Sequence, residues 1–154
     1  WSFSIWTWRL VSAGFFALSL SRCMKKKQKT PTWYRKKCVA IAKEEAKRRA
    51  GYRCEYCGRK KGDVQLHGSH ILPEGTYVSF SAEPFNIIAL CASCHTGGIW
   101  MNNKKSSWHS NPLFFADWFN KKWPGRKQEL YKMVQETEVV DWKKKYEEMK
   151  LCQN

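Results

Sequence analysis

Two Cys-x-x-Cys pairs constrain this chain more than any other feature of it. They stand at Cys54–Cys57, reading C-E-Y-C, and at Cys91–Cys94, reading C-A-S-C. One such pair fills half of a tetrahedral zinc site; two pairs complete it, so the segments that carry them must fold against each other. An all-cysteine site is closed to water, so the ion staples the fold and leaves the chemistry to other residues. The residues the staple gathers are His67 and His70 in H-G-S-H, Asn86 in N-I-I-A-L-C, and His95 directly after the last cysteine. The division between a structural metal and a separate chemical site is the main expectation.

Of the seven cysteines, Cys23, Cys38 and Cys152 stand outside the pairs. An odd count with this spacing fits metal binding in a reducing compartment better than a disulfide scaffold, so a cytoplasmic location is expected. Cys38 is expected to pack inside a helix. At 154 residues the chain makes one small domain with helical appendages. Its 28 Lys+Arg against 13 Asp+Glu leave a net charge of +15, and 15% aromatic with 43% hydrophobic residues argues against disorder. Such a charge calls for a polyanionic partner. DNA comes first, an anionic membrane surface second; no feature reads the 2′-hydroxyl of RNA.

Residues 1–23 look foreign to the rest. They hold Trp1, Trp6 and Trp8 and an apolar run from Leu10 to Leu20 that is too short to span a bilayer comfortably. They read either as sequence upstream of a start at Met24 or as a non-native leader. A basic arm follows, K-K-K-Q-K, and then a helix from Trp33 to Ala50, with Gly51 as its stop. Arg35, Lys36, Lys37, Lys43, Lys47, Arg48 and Arg49 give that helix a positive surface suited to DNA phosphates, and Lys104 and Lys105 extend it in a later loop. A strand is expected over Val64–Ile71 and a second short one around Tyr77–Phe80. A helix should start near Cys94, after which 97–111 reads as polar turns. Helices follow over Leu113–Trp123, Arg126–Glu136 and about Val139–Leu151, the first with an apolar aromatic stripe that reads as core. The expected units are 1–23, a basic arm and helix at 24–50, a zinc-stapled core at 51–111, and a helical extension at 112–154.

C-x-x-C, then a strand bearing H-x-x-H, then N-I-I-A-L-C-x-x-C-H, resembles the HNH endonucleases, whose core is a ββα-metal fold. The likeness extends to phage-type HNH nucleases related to the NinG recombination proteins. It is carried by H-G-S-H-I, S-A-E-P-F-N, C-A-S-C-H, S-N-P-L-F-F-A-D-W-F and the Pro-Gly turn, over roughly 50–135. The resemblance implies an α+β fold: a small ββα-metal core, stapled by Cys54, Cys57, Cys91 and Cys94 around zinc and flanked by a basic N-terminal helix and C-terminal helices. It casts His70 as the general base that deprotonates the attacking water, Asn86 as the residue that orients the loop or the His70 ring, and His95 as a ligand of a catalytic divalent cation.

Many relatives carry Asp or His directly before the base, where this chain has Ser69. His67, three positions ahead, is the implied second ligand. Strand geometry would put it on the opposite face from His70 unless the backbone bulges at Gly68. His109 reads as a loop surface histidine. The cation would be Mg2+ or Mn2+, with Zn2+ or Ni2+ also accepted by imidazole. The implied function is a metal-dependent DNA endonuclease that nicks one strand at a time. The alternative is a non-catalytic zinc-stabilised DNA-binding accessory of phage recombination or packaging, which would not require His70, Asn86 and His95 together.

Overall fold

The computed structural model describes residues 28–101, 104–136 and 139–152. The leader expected over 1–23, together with 24–27 of the basic arm, lies outside the described residues. The long helix α1, Pro31–Arg49, begins two residues earlier than the periodicity suggested. Thr30 is its cap, with the hydroxyl accepting the Trp33 N–H at 3.2 Å, and Pro31 sits in the first turn, where no N–H is needed. Its end comes where Gly51 was expected to stop it. Gly51 adopts a φ of 60°, its N–H reaching Arg48 O and the Tyr52 N–H reaching Lys47 O, a paired closure that satisfies the last carbonyls.

The sheet at the centre has two strands, β1 (Leu66–His70) and β2 (Ile87–Cys91), antiparallel and in unbroken register from Leu66 opposite Cys91 to His70 opposite Ile87. All of β2 is buried. Helix α1 lies over one face of it, where Ala42 and Ala46 meet Ile87. Contact is closest at Gly68, where any added Cβ would stand 2.6–2.9 Å from Lys43, its Cα included. The bulge expected at Gly68 does not form; the glycine is needed for helix approach instead.

Between the strands, the expected strand at Tyr77–Phe80 is a 3-10 turn, Val78–Phe80, followed by another at Pro84–Asn86. The Phe80 N–H reaches Tyr77 O and the Ser81 N–H reaches Val78 O, closing the chain on itself before it can pair with a neighbour. After β2 comes a single wide helical turn, Ser93–Gly97, where the short helix was expected. The stretch read as polar turns instead forms a hairpin, β3 (Ile99–Met101) against β4 (Lys104–Ser106).

Three helices complete the chain: α2 (Pro112–Lys122), α3 (Arg126–Glu136) and α4 (Trp142–Leu151). Asn111 caps α2 by accepting the Phe114 N–H, and Asp141 caps α4 by accepting from Lys143 and Lys144. The α2 stripe is core, as expected. Phe115 and Phe119 are buried, and Trp108, Trp118, Trp123 and Tyr56 pack around them with ring centroids 4.8–6.3 Å apart. Helix α4 docks on α1, where Trp142 and Tyr146 cover Cys38 and Val39. Cys38 is fully buried, as its helical position suggested. The result is the mixed helix and small-sheet architecture expected, with the four paired cysteines clustered at one end of the sheet. Among the described residues no helix is long and apolar enough to cross a membrane.

Candidate functional site

Cys54, Cys57, Cys91 and Cys94 bring their sulfurs within 4.8 Å of one another. Four sulfurs arranged tetrahedrally at about 2.3 Å from zinc would be separated by about 3.8 Å, and Cys57 Sγ lies 3.8 Å from Cys91 Sγ. The donor set and spacing therefore fit a structural zinc ion. The first knuckle is tied to β2 by two bonds: the Glu55 N–H reaches Ala89 O, and a Glu55 carboxylate oxygen accepts the Ala89 N–H at 2.6 Å. A hydrogen bond from Cys94, reinforced by main-chain amides, holds the Cys54 thiol down to about 4, ready to ligate as thiolate. Arg59 was missed in the sequence; its guanidinium donates to Cys57 Sγ and Cys91 Sγ, each at 3.4 Å, and offsets thiolate charge from outside.

His70 closes β1. Its ring is nearly enclosed, with 10% of the side chain exposed, and its Nε2 lies 2.8 Å from the carbonyl oxygen of Ser81. A carbonyl can only accept, so Nε2 carries the proton and Nδ1 is left with a lone pair. Glu74 stands 3.7 Å from that Nδ1 and 3.6 Å from Lys43 Nζ. Burial keeps the His70 pKa below the usual imidazole value, with Lys43 adding to the effect and Ser81 and Glu74 opposing it.

His95, on the wide turn after Cys94, has its Nδ1 3.0 Å from that of His67. Two nitrogens at right angles on one ion about 2.1 Å away would be about 3.0 Å apart. Burial, followed by the neighbouring charges of His109, His67 and Lys43, pushes His95 down to about 4, so at neutral pH the ring is uncharged and one of its nitrogens keeps a lone pair. The pair fits the expected cation. His67 needs no bulge to reach it, because the turn brings His95 to His67. Ser69 is buried and is not among the residues lining the cavity that His70 and His95 share. His109 is exposed in a turn, as expected of a loop surface histidine, and it stands beside His95. Its N–H reaches His95 O, and its ring stands edge-on to that of His95 with centroids 4.6 Å apart.

Asn86 is fully buried and touches no imidazole. Its Oδ1 accepts the Leu72 N–H at 2.8 Å, and its Nδ2 donates to Leu72 O and Phe80 O, each at 3.2 Å. Of the two roles open to it, orienting the loop is the one its contacts serve. It pins the main chain at Leu72 and at Phe80, the residue before the Ser81 carbonyl that meets His70. Asn86→Ala would leave the Leu72 N–H and C=O unpaired, since Phe80 O keeps the Glu83 N–H, costing about 2–4 kcal/mol and lowering the melting temperature by roughly 5–15 °C. A calorimetric scan with an unchanged midpoint would contradict this.

The basic surface divides. Lys47 pairs with Glu44, Arg48 with Glu45, and Lys43 with Glu74. Arg49, exposed at the end of α1, donates to Pro84 O at 3.2 Å and Ile87 O at 2.7 Å. Arg126, buried and clamped between Phe85 and Trp123, donates to Phe85 O and Ile87 O from the other side. Burial lowers it to about 10, still charged at pH 7. The two guanidiniums pinch the turn that ends at Asn86. Lys36 and Lys37 are exposed and Arg35 half-buried; the side chains of Lys104 and Lys105 lie outside the described residues.

His70, His95 and His109 line one cavity of about 750 Å³. Its far wall comes from α2 and α3, through Phe119, Asn120, Lys127 and Tyr131 among others. Residues 54–97 match the family model for HNH, the HNH endonucleases. That segment, less than half of the chain, holds both cysteine pairs, His67, His70, Asn86 and His95, and supports nuclease activity in general. No curated protein and no solved structure matches the chain.

Proposed function

We propose that the chain is a metal-dependent endonuclease that hydrolyses DNA phosphodiester bonds, with His70 as its general base. One observation carries this: the segment matching the HNH endonucleases brings to a single cavity a neutral imidazole of fixed tautomer and a second, His95, paired to His67. His70 Nδ1 takes a proton from the water that attacks phosphorus. The Ser81 carbonyl holds the ring while the imidazolium forms, and Glu74, 3.7 Å from Nδ1, stabilises that charge. His95 and His67 would hold a divalent cation, Mg2+ or Mn2+ with Zn2+ or Ni2+ as alternatives, which when bound supplies charge stabilisation at the phosphate and the departing 3′ oxygen. Exposed cations such as Lys36 and Lys37 attract the phosphate backbone without reading sequence, so binding weakens with salt. One site per chain makes a nick the first product. Kinship to phage-type, NinG-like enzymes, the unit boundaries and a cytoplasmic location belong to the same proposal.

Supercoiled plasmid incubated with each divalent ion tests it. Metal-dependent conversion to open circle is expected, whereas retarded but uncut DNA under every ion would favour the non-catalytic binding module. The pH profile gives a second check. His70 must be neutral to act, and its pKa lies below the ordinary imidazole value of about 6.5. The rate should be flat from neutrality down to that value and fall only under it. A rate already falling between pH 8 and 7 would exclude His70 as the group titrated.

A further inference from the structure

We propose that the cavity beside His70 holds an unpaired nucleobase next to the cleaved phosphate, so that the enzyme acts on locally single-stranded DNA rather than on intact duplex. This rests on the endonuclease reading and names its substrate. His70 is only 10% exposed, and what remains open of it belongs to the cavity wall, so a phosphate must enter the cavity to reach it. At about 750 Å³ the cavity falls among pockets that enclose one small ligand, about 300–1,000 Å³. A paired duplex does not fit inside such a volume; a nucleotide turned out of its stack does.

The lining suits that occupant. Trp108 is held in place by its indole N–H, which donates to His70 O at 3.2 Å. Tyr131, on α3 and 47% exposed, brings a second ring to the cavity lining on which a base can stack. Asn120 supplies an amide that can pair with a base edge, while Lys43 and Lys127 bring positive charge to the walls for the flanking phosphates. Lys43 shares Glu74 across the same wall, whereas Lys127 has no ion pair among the described residues and would face an apolar peptide without an anion. A polyanion with flat aromatic bases matches both the charge and the rings.

The test uses the whole protein without added divalent ions, so that DNA stays intact, and single-stranded oligonucleotides carrying 2-aminopurine as a stacking probe. Binding should change the probe's fluorescence. The same sequence as duplex should bind more weakly, and Tyr131→Ala should weaken single-strand binding roughly tenfold, while Tyr131→Phe retains it. Because Tyr131 is half exposed on a helix, alanine there leaves the fold intact, as circular dichroism would verify. In the nuclease assay, supercoiled plasmid, which exposes unpaired segments, should be nicked faster than relaxed plasmid. Equal affinity for duplex and single strand, or an unaltered Tyr131→Ala variant, would overturn the proposal even if nicking is found. Base stacking without nicking under any ion would instead sink the endonuclease reading and leave the pocket's occupant standing.

Discussion

His70→Ala is expected to lower metal-dependent nicking by about 10²–10⁴-fold, or about 3–5 kcal/mol on the barrier. DNA binding and zinc content should stay as they are. The size follows from the loss of the group that takes the water's proton, at a position where no other described lone pair is fixed in the same way. The tolerance follows from its surroundings. The imidazole makes one short hydrogen bond, to Ser81 O, and the sheet register and the Asn86 contacts around it do not depend on the ring. Losing that bond costs about 1 kcal/mol of stability, too little to unfold the chain. Plasmid nicking, gel retardation and zinc analysis of the purified variant measure the three quantities separately.

Cys91→Ala should have the other large effect: loss of zinc and collapse of the core. Cys91 ends β2, fully buried, with Cys57 Sγ 3.8 Å away. The cluster it belongs to has only three buried residues besides cysteine: Leu66, Ile88 and Leu90. The hydrophobics packed around it, such as Tyr56, Trp108 and Trp118, are only half-buried, so the apolar set is too small to hold the knuckles together without the metal. Structural zinc contributes about 10–16 kcal/mol in comparable small sites, against a net stability of about 5–15 kcal/mol for a whole domain. With three thiolates left around an incomplete site, the first knuckle should come away from β2. His95, one residue past Cys94, would then lose its placement against His67. Far-ultraviolet circular dichroism and zinc content of the variant measure the loss; a folded, zinc-free protein would refute it.

What the sequence revealed and what it hid have physical reasons. Ligand spacing is local, so the four-cysteine cluster could be read from two short motifs. The ends of α1 were nearly legible because Pro31 and Gly51 act through their own backbones. The arrangement of His109 was not, since it depends on the β3–β4 hairpin that returns the chain to His95. Arg49 and Arg126 look like any surface cations in sequence; only the folded turn supplies the carbonyls they hold. The strand expected at Tyr77–Phe80 had the right residue types, but the Glu83 N–H and the Asn86 side chain both take Phe80 O, and the chain coils on its own main chain instead. Gly68 was read correctly as a special position and assigned the wrong purpose, because helix approach and strand bulge leave the same mark in a sequence.

The central claim is that one metal holds the fold while His70 does the chemistry. Zinc per chain and plasmid nicking, measured on the same preparations of the parent, His70→Ala and Cys91→Ala proteins, test it most directly. The expected result is one zinc in the parent and in His70→Ala, none in Cys91→Ala, and nicking by the parent alone when Mg2+ or Mn2+ is added. Nicking by His70→Ala at the parent's rate, or by a zinc-free Cys91→Ala protein, would contradict it.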